Sequence, residues 1–246
     1  MKTIVYEGGF EGFLTVIHDA YIQKSWPEAI CRAGCEGEEG LFEERRFLVP
    51  ERAKATKVAT AFRAKAGAQT FQTLLYAWLH DSPALDSELA VFVRKLFKNP
   101  ALIGDLADPV IHRANAAAQF TGRELHRWEG FTRFSRLNEG GLYAVLEPKS
   151  DILALLGNHF KNRMAGEQWI LHDTRRKQAL LYDGQESRPL SVAHADTAVL
   201  HQEEALYREL WRCFFDTTAT KERISRKRQL RWVAKRFHPF MTEMGP

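Results

Sequence analysis

The spacing of apolar residues changes rhythm several times along the chain. Residues 2–6, KTIVY, are β-prone and predict a short strand. From Phe10 the rhythm becomes helical: Phe10, Phe13, Leu14, Ile17 and Tyr21 recur at helix spacing and share one face. Residues 28–33 and 45–49 predict two more strands with a glycine-rich acidic loop between them. Residues 51–98 are helical in pattern, with Val58, Phe62, Phe71, Leu74, Leu75, Trp78 and Leu79 as apolar stripes and Gly67 as a break. Ser82-Pro83 predicts a further helix with Ser82 as its N-cap, and Leu89, Phe92, Val93, Leu96 and Phe97 as its buried side. Asn99-Pro100 ends it, and another helix runs over 109–128 with Pro109 in its first turn.

The second half reads differently. FTRFSRL (131–137) and GLYAVLE (141–147), joined by NEGG, predict a hairpin. DILALLGNHFKNR follows as an amphipathic helix capped by Ser150 or Asp151. QWILHD (168–173) and QALLYDG (178–184) predict a second hairpin around TRRK. A terminal helix over about 201–219 carries Leu206, Leu210 and Phe214 on one face. The fold class is therefore α+β: a helical middle, short N-terminal strands and a small antiparallel sheet in the C-terminal half. The expected division is a mostly helical part over 1–125 and an α+β part over 126–246.

Charge sharpens this picture. The net charge is only +4, but the charges are segregated. Residues 36–44, EGEEGLFEE, hold five acids and no base, whereas residues 221–236 hold eight bases against Glu222. Such segregation is the footprint of a polyanion binder. Taken as a helix, 225–237 puts Leu230, Val233, Ala234 and Phe237 on one face and Arg228, Arg231 and Lys235 on another. Arg226, Lys227 and Arg236 add charge, and Trp232 either packs inward or stacks on an exposed base, worth ~1–3 kcal/mol in the second case. A second basic stretch, RELHRWEGFTRFSRL, contributes Arg127, Arg133 and Arg136, and Arg163 and Arg176 are further phosphate candidates. If both hairpins lie in one sheet, their basic ends and the tail could form one patch.

Other chemistry is sparse. No uninterrupted apolar run is long enough to span a bilayer, and the N-terminus lacks the pattern of a secretory signal; a cytoplasmic protein that avoids membranes is expected. Cys31 and Cys35 in CRAGC make half a metal site at best, so no metal or other cofactor is predicted. His172-Asp173 at a strand end and His159 on a helix are the candidates for acid–base catalysis. Asp183-Gly184 is a turn signature. No phosphate loop, dinucleotide fingerprint or nucleophile elbow is present, and whether the chain is an enzyme stays open.

The opening YEGGFEGFLTVIHDAY resembles that of a bacterial family of DNA-metabolism proteins linked to radical-SAM enzymes, with Glu7 standing where that family carries Asp. The likeness extends through Pro148, Asp151, His159, Phe160, Arg163, Trp169, Asp173, Arg176 and Tyr182-Asp183-Gly184. It continues with Tyr207, Leu210-Trp211-Arg212, Phe215, Arg223, Gln229 and the closing KRFHPFMTE. The resemblance implies a C-terminal domain of unknown function, also found fused to uracil-DNA-glycosylase-like proteins, and a radical-SAM protein as partner. The expected function is a DNA-binding accessory protein in DNA repair or modification. The alternatives are a nuclease or glycosylase-like hydrolase using His159, His172 or Asp173, and a protein-interaction module whose tail docks on an acidic surface.

Overall fold

The structure, a computed structural model, describes residues 2–35, 44–138, 140–190, 201–218 and 233–244. The chain divides into two compact units, Met1–Arg123 and Glu124–Pro246. In the first, β1 (Lys2–Tyr6), α1 (Gly9–Ile22) and β2 (Ala29–Arg32) form a βαβ unit, and β3 (Glu44–Leu48) adds to the other edge of β1. The sheet is parallel in the order β2-β1-β3, with Tyr6 in register with Arg32 and Leu48. The helices α2 (Arg52–Ala66), α3 (Ala68–Leu79) and α4 (Leu85–Lys98) follow, then a 3-10 turn and α5 (Pro109–Phe131).

The glycines of EGGFEG make the β1–α1 junction. Gly8 and Gly9 have φ of 71° and 66°, a region open to glycine at little cost. A Cβ on Gly12 would lie 1.8 Å from the Glu7 carbonyl oxygen, so α1 can start against the strand end only without a side chain there. Helix ends follow local chemistry in the same way. Asp108 caps α5 by accepting from the Val110 and Ile111 N–H groups at 2.9 and 3.3 Å. The expected Ser82 cap of α4 is not formed: the helix begins at Leu85 without a side-chain cap, and the Ser82 and Pro83 carbonyls accept from Leu85 and Asp86. The helix expected after Ser150-Asp151 spans Leu153–Arg163, with Ile152 at its N-cap position.

Within the apolar core of this unit sits a charged network. Arg32 holds the buried Asp86 through Nε and Nη2, both at 3.0 Å, reaches Asp81 Oδ1 at 2.8 Å, and donates to the Trp78 carbonyl at 2.8 Å. Tyr6 donates to Asp86 at 2.8 Å and accepts from the Trp78 indole at 2.9 Å. Burial works against the Arg32 cation, but the bonds and charge of Asp86 outweigh it and raise its pKa. Burial drives the Tyr6 phenol strongly upward, and the Asp86 charge adds to the rise.

The second unit contains the end of α5, then β4 (Ser135–Arg136), β5 (Leu142–Leu146), α6 (Leu153–Arg163), β6 (Trp169–Asp173), β7 (Gln178–Tyr182), β8 (Ser187–Leu190), α7 (Glu204–Thr218) and a 3-10 turn over Lys235–Phe240. The sheet runs β4-β5-β6-β7-β8. It is mixed rather than wholly antiparallel, because β5 and β6 pair in parallel. The helix α6 explains this: a strand–helix–strand connection brings the chain back in the same direction. β8 was not apparent in the sequence. It follows the Asp183-Gly184 turn and, among the described residues, pairs only with β7, and on such an edge Pro189 is tolerated.

The C-terminus closes the core of this unit. Phe237 is fully buried and meets the rings of Trp128 and Phe131 edge-on, at 5.0 and 5.2 Å. The α-helix expected over 225–237 does not run through this part. Ala234 is extended and a 3-10 turn starts at Lys235; the helical pattern over 225–232 lies outside the described residues.

Candidate functional site

Three of the six described arginines of the second unit that the sequence singled out, Arg133, Arg176 and Arg236, are held by the protein itself. Arg236 Nη1 lies 2.6 Å from Glu124 Oε1. Arg176 binds Asp173 Oδ2 at 2.9 Å and the carbonyls of Pro148 and Lys149 at 3.0 and 2.6 Å, tying the β6–β7 turn to the segment before α6. Arg133 pairs with the buried Glu243 at 2.6 Å. Lys235, Arg127 and Arg163 are exposed. Arg226, Lys227, Arg228, Arg231 and Trp232 lie outside the described residues.

Among the described residues the basic ends of the two hairpins do not meet in one patch. Parallel pairing puts the β4–β5 turn at the Leu142↔Trp169 end of the sheet and the β6–β7 turn at the Leu146↔Asp173 end. Those ends are separated by the length of a five-residue strand, ~16 Å at about 3.3 Å per residue. Arg136 and Arg176 therefore belong to different ends.

At the Arg136 end, a cleft of about 380 Å³ opens between β4, the start of β5, α7 and the C-terminal segment. Arg133, Arg136 and Arg208 supply its cations, and Phe134, Tyr207 and Trp211 its rings. Glu204 organises the wall: its Oε2 accepts from the Arg136 backbone N–H at 2.9 Å and its Oε1 from Arg208 Nε at 3.0 Å. Arg208 also donates to the Ser135 hydroxyl at 2.9 Å. The Arg136 side chain is exposed, and its guanidinium has no carboxylate partner among the described residues.

The rings of the cleft remain accessible. Tyr207 is 50% exposed and Trp211 39%. The Trp211 indole donates to Glu243 Oε2 at 3.1 Å, and the Arg133 guanidinium stands 5.5 Å from its ring centre. Glu243 is thus the shared anchor of Arg133 and Trp211. Burial pushes its carboxyl upward, but the Arg133 bonds and charge and the Trp211 N–H more than offset this and hold it below the ordinary range. Glu124 follows the same logic: burial raises it, while the Lys149 and Ser150 N–H groups, the Ser150 hydroxyl and Arg236 bring it down.

Tyr207, Arg208, Trp211 and Phe134 were not among the site residues expected from the sequence. The available signal was YRELWR, which repeats an aromatic-Arg pair four residues apart. Reading α7 by its leucines hid it, yet Leu206 and Leu210 are 53% and 55% exposed.

The three candidate catalytic residues are not brought into this cleft. His172 and Asp173 are neighbours on β6 and so face opposite sides of the sheet. His172 is buried with Nδ1 2.7 Å from the Tyr143 hydroxyl. Asp173 spends its carboxylate on the turn, accepting from the Arg175 and Arg176 N–H groups at 3.0 and 3.2 Å and from the Arg176 guanidinium. His159 lies 3.6 Å from Glu129 Oε1 and edge-on to Phe160. Among the described residues no three His, Cys, Asp or Glu side chains are grouped to hold a metal, and no helix is long and apolar enough to cross a membrane.

These features define an α+β protein whose second unit carries an arginine- and aromatic-lined cleft. The chain belongs to the family described as "Domain of unknown function (DUF4130)", which matches residues 72–243. No curated protein and no solved structure matches it.

Proposed function

We propose that the protein is a nucleic-acid-binding accessory factor, with DNA as its expected ligand, and that the second-unit cleft is its point of contact. One observation carries the reading: Arg136 presents a guanidinium with no carboxylate partner among the described residues, in a cleft that also holds Arg133, Arg208 and accessible aromatic rings. Of the ion pairs in that wall, Arg208–Glu204 and Arg133–Glu243 are satisfied internally. The surplus cation can then neutralise a phosphate and release its counterion. The basic run at 221–231 would add sequence-independent affinity. The likeness to a family of DNA-metabolism proteins linked to radical-SAM enzymes supports a role in DNA repair or modification beside such a partner, which would supply its own chemistry.

The test is a salt titration of binding to a fluorescent oligonucleotide, followed by anisotropy. Binding that weakens as salt rises, with a smaller slope in R136A, supports the proposal. No binding at low salt, or affinity indifferent to salt, overturns it. Co-purification with the radical-SAM protein tests the partner separately.

A further inference from the structure

We propose that the α7 face of this cleft is a stacking platform for an unpaired strand, taking successive bases on Tyr207 and Trp211 while Arg136 meets the phosphates. This rests on the nucleic-acid reading and adds the strand state to it. Tyr207 and Trp211 are four residues apart on α7, as are Arg208 and Arg212. Four residues of α-helix return to one face and rise about 6 Å. The helix thus carries a stripe of rings and, beside it, a stripe of guanidiniums of equal pitch.

That pitch discriminates between strand states. Within a duplex, successive nucleotides of one strand advance about 3.4 Å and their faces are covered by neighbouring bases. Ring-bearing residues set about 6 Å apart along the helix axis can be met one for one only by a strand whose bases have been drawn apart. The cleft volume of about 380 Å³ is of the order that encloses one small organic ligand, which suits an inserted base and excludes a stacked duplex. The wall that holds the rings is prepared in advance. Glu243 fixes the Trp211 indole and Arg133 together, Arg212 Nε donates to the Thr242 carbonyl at 3.0 Å, and Glu204 with Ser135 sets Arg208. Stacking on such rings tolerates any base.

The experiment compares fluorescein-labelled dT10, rU10, a ten-base-pair DNA duplex and a ten-unit abasic strand, using the full chain. The expected result is binding of dT10 about tenfold tighter than of the duplex or the abasic strand. Tyr207→Ala and Trp211→Ala should each lower dT10 affinity about tenfold, and Tyr207→Phe and Trp211→Phe, which keep the rings, should restore it. The rU10 arm separates DNA from RNA as the source of the unpaired strand: either one bound in preference to the duplex supports the platform. If the duplex or the abasic strand binds as well as dT10, or if both alanine variants bind normally while R136A is weakened, stacking is overturned but the phosphate reading stands. The latter pattern would leave the α7 face for a protein. If no probe binds at low salt, the underlying reading fails as well.

Discussion

Arg32 in the first unit and Arg136 in the second show two uses of the same side chain. Arg32 is the last residue of strand β2 and makes four donor contacts to Asp86, Asp81 and Trp78, and its guanidinium lies 4.3 Å from the Trp78 ring centre. Its charge is spent within the fold. Arg136, at an exposed edge, donates its backbone N–H to Glu204 and accepts at its carbonyl from the His201 N–H, while its guanidinium has no carboxylate partner among the described residues. The lesson is that a count of basic residues says little about binding. The question is which carboxylates the fold has already placed against them, and in the second unit Glu124, Asp173, Glu204 and Glu243 claim Arg236, Arg176, Arg208 and Arg133.

The largest effect should come from breaking the spent network. Arg32→Met leaves the Asp86 carboxylate, whose side chain is 0% exposed, without its counter-charge. Removing one partner of a buried pair costs ~3–5 kcal/mol, and urea denaturation should show that loss. Because the site is remote in chemistry from any ligand, oligonucleotide affinity of the folded variant should be unchanged. A stable R32M would show that Arg32 is not a structural cation, and the contrast would fall.

An intermediate effect is expected at Glu124, which joins the closing segment to the core of the second unit. Glu124→Gln weakens its bonds to Arg236 and to the Lys149 and Ser150 N–H groups, a loss of about 1.5–3 kcal/mol. The pH dependence has a definite sign. The Glu124 and Glu243 carboxyls are depressed in the folded protein, so their stabilisation is complete above the ordinary glutamate value of about 4.3. It is lost as pH falls below that value through the folded one. Denaturation midpoints should therefore drop below about pH 4.3, and E124Q should flatten that drop. An unaltered acid limb in E124Q would remove Glu124 from the account.

These residues also show what the chain made legible. The strands at 28–33 and 45–49 are found at Ala29–Arg32 and Glu44–Leu48, since short β-prone runs bounded by breakers are local signals. The parallel join of β5 and β6 is not legible from either hairpin pattern alone, although the helix pattern between them is. Strand direction is set by what lies between strands, whereas a hairpin signal reports only on two neighbouring runs. β8 escaped because proline argues against a strand unless one edge is unpaired. At the site, Arg133 and Arg136 were legible as charge, but their different fates were not: Glu243 is 110 residues from Arg133 and Glu204 is 68 from Arg136, separations to which local patterning is blind. Periodicity on α7 marked an apolar stripe, and nothing in periodicity tells which stripe the fold covers.

The smallest effect on stability, and the sharpest on the comparison, belongs to Arg136→Ala. With no ion pair to lose among the described residues, the fold should tolerate it within about 0.5 kcal/mol. If its guanidinium meets a phosphate, oligonucleotide affinity should fall about fivefold, the ~1 kcal/mol expected of an exposed ionic contact, and the salt slope should shrink by about one. Arg163→Ala provides the matched control. Arg163 is also exposed, in the last turn of α6, but does not line the cleft. Equal losses in the two variants would mean that binding senses only net charge, and the cleft would have no special claim. A loss confined to R136A would show that the position of the guanidinium, beside Tyr207 and Trp211, is what the ligand reads.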